Sequence, residues 1–189
     1  IMYHPGETNF RMAEIIIINK IDSAPKEGIK TVEENIKKFN PKAIVIKARS
    51  EVTADKPELI KGKRVLLVED GPTITHGEMK YGAATVAAKK YGAKEIVIAK
   101  KYAVGSIKET FDKYKHLEKE LPAMGYNEKQ IKDLQETINR ANCDVVIDGS
   151  PVNLNRLIKA NKPIVNIDYE LDANSIKELE RILKKRKFI

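Results

Sequence analysis

Apolar residues recur along the chain in two alternating rhythms. Short unbroken runs of β-branched and aliphatic residues at 15–18, 44–46, 64–68, 95–98, 144–147 and 163–167 read as buried strands. Between them lie stretches with apolar positions three and four apart. Ile29, Val32, Ile36 and Phe39 mark one such face, in a helix that opens at Pro25–Glu27 and stops at Asn40–Pro41. Further helices are predicted over 79–91, from Ser106 to Tyr114, from Asn127 to Asn142 and over 174–187. Ser106 with Glu109 has capping-box spacing, and Ser150–Pro151 reads as N-cap and first helical residue. Residues 4–9 read as a turn-rich loop, 51–61 as a charged loop and 116–126 as an irregular connector. Strand and helix alternate throughout. The expected fold is therefore α/β, with one predominantly parallel sheet and helices on both faces.

Composition narrows the class. The chain has 189 residues and a net charge of +8, from 35 basic and 27 acidic side chains. Its lysines are interleaved with glutamates, as in Lys108–Glu109 and Lys177–Glu178, which describes a solvated surface and not a nucleic-acid face. No apolar run reaches membrane-spanning length and no leader is apparent, so a cytoplasmic, soluble protein is expected. The single cysteine, Cys143, excludes an internal disulfide framework. Abundant Lys, Glu and Ile fit a heat-adapted source.

The polar strand ends carry the candidate chemistry. Ile15–Ile18 runs into Asn19–Lys20–Ile21–Asp22. This Asn-Lys-x-Asp resembles the base-recognition motif of GTPases. There a carboxylate accepts two parallel N–H bonds from guanine and the lysine stem lies over the ring. A second base-contacting loop is expected after the next strand, at Ala48–Arg49. The strand at 64–68 ends in a loop where Asp70, Thr73, Thr75, His76 and Gly77 converge. Strand-to-helix loops of open α/β sheets bind ligands, and helix N-termini favour anions. Tyr102, Gly105 and Ser106 form a second such turn, beside Lys100 and Lys101. These two turns are expected to make one substrate surface for a phosphorylated acid. Ser106 is also explained by capping alone.

The sequence contains no G-x-x-x-x-G-K-[ST], the loop whose backbone and lysine hold nucleotide phosphates. If Asn-Lys-x-Asp binds a base, that loop is expected upstream of Ile1. His4, His76, His116 and Cys143 have no metal-ligand spacing, and no Gly-x-Ser-x-Gly elbow is present. No catalytic residue and no metal ligand is identified.

Several stretches together resemble one family, cyclic 2,3-diphosphoglycerate synthetase and its relatives among predicted archaeal GTPases. They are YHPGETNFRMAEIIIINKIDSAP, VLLVEDGPTITHGEMKYGA, KKYAVGSIKETF, LPAMGY, CDVVIDGSPVNLNRLI and NKPIVNIDYEL. The first also resembles GTPases that deliver nickel to urease and hydrogenase. The resemblance implies a P-loop NTPase-like fold of which this chain is the C-terminal part. Residues 1–60 would be the base-recognition region and 61–189 the substrate side, with an N-terminal domain and the phosphate loop upstream. It implies an ATP- or GTP-dependent ligase or kinase-like enzyme, inactive as this fragment alone, that closes a phosphoanhydride in 2,3-diphosphoglycerate or acts on a related phosphorylated acid. Mg2+ would be bound mainly by the upstream part. The partners implied are nucleotide, that acid and the rest of the same protein, with no nucleic acid and no membrane; a homodimer is compatible. Lys100–Lys101 departs from the family's acidic–proline–basic–proline stretch, which leaves the substrate open. The alternative is a regulatory or metallochaperone-type GTPase.

Overall fold

The structure is a computed structural model, and it describes residues 4–76, 81–125 and 127–187. Its first part runs α1 (His4–Met12), β1 (Ile15–Ile18), α2 (Lys26–Phe39), β2 (Ile44–Lys47), β3 (Ser50–Ala54), β4 (Arg64–Asp70), α3 (Gly71–Thr75), α4 (Ala83–Lys90) and β5 (Glu95–Ile96). It continues with α5 (Gly105–Lys113), β6 (Glu120–Ala123), α6 (Glu128–Arg140), β7 (Val145–Gly149), α7 (Leu154–Leu157), β8 (Ile164–Leu171) and α8 (Ala173–Lys185). Short 3-10 turns occupy Pro57–Leu59 and Ala99–Tyr102.

The chain forms two compact units. One comprises the described residues up to Glu51 together with those from Glu170 on; the other is Val52–Tyr169. The C-terminal helix belongs with the first unit.

In the first unit β1 and β2 pair in parallel, Ile15 opposite Ile44 and Ile18 opposite Lys47. A parallel pair needs a crossover, and α2 provides it. Ile36 of α2 is buried. The α2 C-cap residue Asn40 donates its amide to the Phe10 and Ala13 carbonyls, both at 2.8 Å, which ties down the end of α1. The expected loop at residues 4–9 is instead helical. Pro5 falls in the first turn, where its missing N–H costs nothing, and Glu7 pairs with Arg11 one turn on.

In the second unit the sheet order is β3-β8-β7-β4-β5, with β6 also against β4. The β1–β2, β4–β5, β4–β6, β4–β7 and β7–β8 pairs are parallel. β4 lies inside this sheet, and Val65, Leu66, Leu67 and Val68 are fully buried. Their side chains alternate between faces. Leu66 and Val68 join Ile74, Ile107, Phe111, Leu134 and Ile138, while Val65 and Leu67 join Ile60, Ala84, Ala88 and Ile147. Helices therefore cover both faces, as the apolar runs predict.

Other expectations need correction. The strands form two sheets, not one. β3 lies in the stretch expected as a charged loop, and β6 in the expected connector. β3 alternates polar Glu51 and Thr53 with Val52 and Ala54, and β6 carries Pro122, which removes a ladder donor. Neither reads as a buried strand. The helix expected over 79–91 is described only as Ala83–Lys90. Asn153, not Ser150, caps the helix after β7, accepting from the Asn155 amide at 3.0 Å. Asn127 caps α6 as expected, accepting from the Gln130 amide.

Among the described residues, no helix is long and apolar enough to cross a membrane.

Candidate functional site

β1 and β2 end side by side, and two loops meet there. The Ala48 amide donates to the Ile18 carbonyl at 2.9 Å, and the Ile21 amide donates back to the Ala48 carbonyl at 3.2 Å. Asn19 accepts the Lys20 amide through its side chain at 2.8 Å. Lys20 has φ 61°, a left-handed conformation that costs a lysine about 1 kcal/mol. Its carbonyl collects the Ser23 and Ala24 amides, at 3.1 and 2.8 Å, so the turn is tightly wound. Asp22 Oδ1 lies 3.4 Å from the Ser50 amide. The strand end thus brings Asn19, Asp22 and the Ala48–Arg49 loop together. Asn19, Lys20, Asp22 and Arg49 are exposed, while Ala48 is buried beneath them.

Asp172 locks this loop. It accepts the Arg49 amide at 2.9 Å, and its own amide donates to the Arg49 carbonyl at 3.1 Å. It also caps α8 by accepting the Ser175 amide and hydroxyl. These donors, led by Ser175, pull its carboxyl down to about 2. A carboxylate depressed in the folded state stabilises above its unfolded value and loses that contribution as pH falls through its folded one. We therefore expect the Arg49 and Ser175 amides to lose exchange protection between pH 4 and about 2. Asp172→Asn should show weakened protection already at neutral pH. Hydrogen exchange read by NMR checks both.

In the second unit, Asp70 ends β4 and precedes α3. The Thr73 hydroxyl donates to Asp70 Oδ2 at 2.5 Å, and the buried Thr75 hydroxyl donates to the Gly71 carbonyl at 2.7 Å. Both hydroxyl protons are directed within the chain and not outward toward an anion. His76 follows, exposed, with Nδ1 3.0 Å from Thr75 Oγ1. Gly77 lies outside the described residues.

The turn at 102–106 is arranged differently from the expectation. Gly105 is the first residue of α5, with Val104 as N-cap, so Ser106 is inside the helix and not its cap. Its amide and hydroxyl both donate to Asp133 of α6, at 2.8 and 2.7 Å. These bonds hold Asp133 below the usual carboxylate range. Gly105 has φ 47°, and a Cβ there would strike the Asp133 carboxylate. Tyr102 packs against the core. What meets His76 is the other end of α5: the Tyr114 hydroxyl is 3.5 Å from Nε2, with ring centroids 6.0 Å apart. The two turns therefore do not merge around Ser106 and His76.

Two buried carboxylates escaped the sequence reading. Glu69, 1% exposed, accepts the amides of Gly82, Ala84 and Thr85 and the Thr85 hydroxyl, at 3.1, 3.1, 2.8 and 2.8 Å. It fills the N-terminus of α4, where a negative charge is favoured. Burial pushes its carboxyl up, against the pull of the four donors. Asp148 accepts the Ser150 amide and hydroxyl and the Leu154 amide, and burial pushes it up too. A signal was present: a glutamate or aspartate placed inside an otherwise apolar strand end. Gly149 leaves room for Glu69, since a Cβ there would stand 2.6 Å from the Ala84 nitrogen and 3.0 Å from Glu69 Oε2. Gly149→Ala should therefore cost about 3 kcal/mol in urea denaturation.

Asp148 also borders an open cleft of about 510 Å³ at the ends of β7 and β8. Asp55, Asp168, Ser150, Asn153 and Asn166 are among its lining, which includes no basic side chain. Asp55 is held by the Asn166 amide and side chain, at 3.0 and 2.7 Å.

Fold and strand ends define an α/β protein with mostly parallel sheets and its polar groups gathered where strands pass into helices. No family model matches the chain. Over 182 residues it is 62% identical to a protein of Thermococcus kodakarensis named arginine synthetase ArcE. That match takes in 96% of this chain and 41% of the relative, so the chain spans less than half the relative's length.

Proposed function

We propose that this chain is the base-binding and substrate-handling part of a longer, nucleotide-dependent synthetase whose product is arginine. The observation that carries the reading is the identity of 62% across nearly the whole chain to a protein named arginine synthetase. A synthetase couples bond formation to breakdown of a nucleoside triphosphate, and the β1–β2 strand end supplies residues suited to such a ligand. Asp22 offers a carboxylate for paired N–H donors, Asn19 shapes the turn, and the Lys20 stem and the Ala48–Arg49 loop flank the base. Asp22 suits guanine; ATP or GTP is the energy source. The acidic cleft beside Asp148 suits the cationic end of arginine, because a guanidinium pairs well with carboxylates.

Among the described residues no group of three or more His, Cys, Asp or Glu surrounds a metal position. Mg2+ would be held by the nucleotide and by the rest of the longer protein, in a P-loop-type domain. There it would neutralise phosphate charge. This chain's part is positioning.

The resemblance to cyclic 2,3-diphosphoglycerate synthetase favours a second reading, with a phosphorylated acid as substrate and a phosphoanhydride as product. Equilibrium titration of full-length protein separates the two. The first reading expects saturable binding of one nucleoside triphosphate and of arginine, and no response to 2,3-diphosphoglycerate. The reverse pattern favours the second. Nucleotide turnover with neither ligand bound favours a regulatory GTPase.

A further inference from the structure

β1 has one edge paired and one bare. The Ile44 amide donates to the Glu14 carbonyl and the Ala48 amide to the Ile18 carbonyl, both at 2.9 Å. Between those bonds the parallel register with β2 runs without a break. The carbonyls of Glu14, Ile16 and Ile18 therefore point toward β2. In a trans peptide the N–H points opposite to the C=O before it. The amides and carbonyls of Ile15 and Ile17 thus point away from β2. β1 and β2 form a sheet of two, and among the described residues these four groups have no hydrogen-bond partner.

The far side of β2 is better guarded. Buried Ser175 of α8 donates its hydroxyl to the Lys47 carbonyl at 3.3 Å, and Lys47 puts a charge in the strand, paired with Glu33. Natural sheets protect an open edge with lysine, proline, a bulge or a covering element. β1 has neither charge nor proline. It is four isoleucines, and Ile17 is 37% exposed. Two strands alone make a marginal sheet, and an uncharged β-branched edge is a template for further pairing.

We propose that an extended, uncharged strand of the longer protein, from outside these 189 residues, pairs in parallel with the bare edge of β1 and makes β1 an interior strand. The proposal rests on one element of the reading above, that the chain is part of a longer protein, and not on the arginine or nucleotide assignments. The occupant comes from the same polypeptide because more than half of the matched relative lies outside the match, enough for further strands and their crossovers. Parallel pairing continues the direction of the β1–β2 pair and of the four pairs named in the second unit. A parallel neighbour ends at the same sheet edge as β1, so the loop after it emerges beside Asn19 and Asp22. Part of the surface around that turn is then supplied from outside this chain.

Amide exchange in full-length protein, read residue by residue by NMR, tests this. With the strand in place, Ile15 and Ile17 should exchange within about tenfold of Ile16 and Ile18, whose amides face β2. Their amide–amide NOEs should lead to residues outside the 189, and both results should survive dilution. Exchange of Ile15 and Ile17 near the rate of an unstructured chain overturns the proposal. Protection that falls on dilution assigns the edge to a second copy, and protection without strand-type NOEs assigns it to a helix or loop; either overturns it too. A native protein no longer than these residues overturns both the proposal and the longer-protein reading, whereas a longer protein with a bare β1 edge overturns the proposal alone.

Discussion

Glu69→Ala is expected to lower the unfolding free energy by about 4 kcal/mol. The side chain is buried and accepts from Gly82, Ala84 and Thr85 through four hydrogen bonds. Removing the acceptor strands those donors at the start of α4, and each unsatisfied buried donor costs about 1–3 kcal/mol. Water entering the vacated space would recover part of this, which keeps the expected loss below the simple sum. Glu69→Gln should recover most of the loss, because its carbonyl oxygen in the Oε1 position accepts from Gly82 and from both Thr85 donors, and its NH2 group faces only the Ala84 amide. Urea denaturation of the three proteins checks the order. A loss below about 1 kcal/mol for Glu69→Ala would show that the network contributes little.

The second large effect concerns the base. In full-length protein, Asp22→Asn should shift the preference between guanine and xanthine nucleotides by about 100-fold. A carboxylate matches the paired N–H donors of guanine, whereas the amide presents one acceptor and one donor. A bidentate pair of this kind discriminates by about 1–3 kcal/mol. Asp22 and Asn19 sit on a turn whose winding is fixed by Lys20 and by the Ala48 carbonyl. An unchanged ratio of dissociation constants would remove Asp22 from base recognition and leave the exposed turn unexplained.

Much of the fold was legible because its signal is local. The run Val65–Val68 lies on a strand covered on both faces, and such strands show as unbroken apolar runs; the four isoleucines of β1 gave an equally clear strand signal, although Ile17 is exposed. The face of α2 and the Asn127 cap were equally local. β3 and β6 were not, since one is polar at alternate positions and the other contains Pro122.

At the candidate sites, sequence order identified the strand ends but not what the side chains meet. Ser106 looked like a cap with open donors. Asp133, from another helix, takes both of them. Thr73 and Thr75 looked like anion donors, and their protons turn inward to Asp70 and Gly71. Glu69 is the converse. Its partners are thirteen to sixteen positions away, so an acid at the end of an apolar strand marks an unusual position but does not show the four bonds it makes.

The most direct test runs the synthetase backwards. A reversible enzyme that makes arginine at the expense of a nucleoside triphosphate must also consume arginine when given nucleoside diphosphate and phosphate. The account predicts that full-length protein forms nucleoside triphosphate only when arginine, diphosphate and phosphate are all present, in amounts matching the arginine lost. Triphosphate formation indifferent to arginine, or none with every component present and the forward reaction also silent, would contradict it.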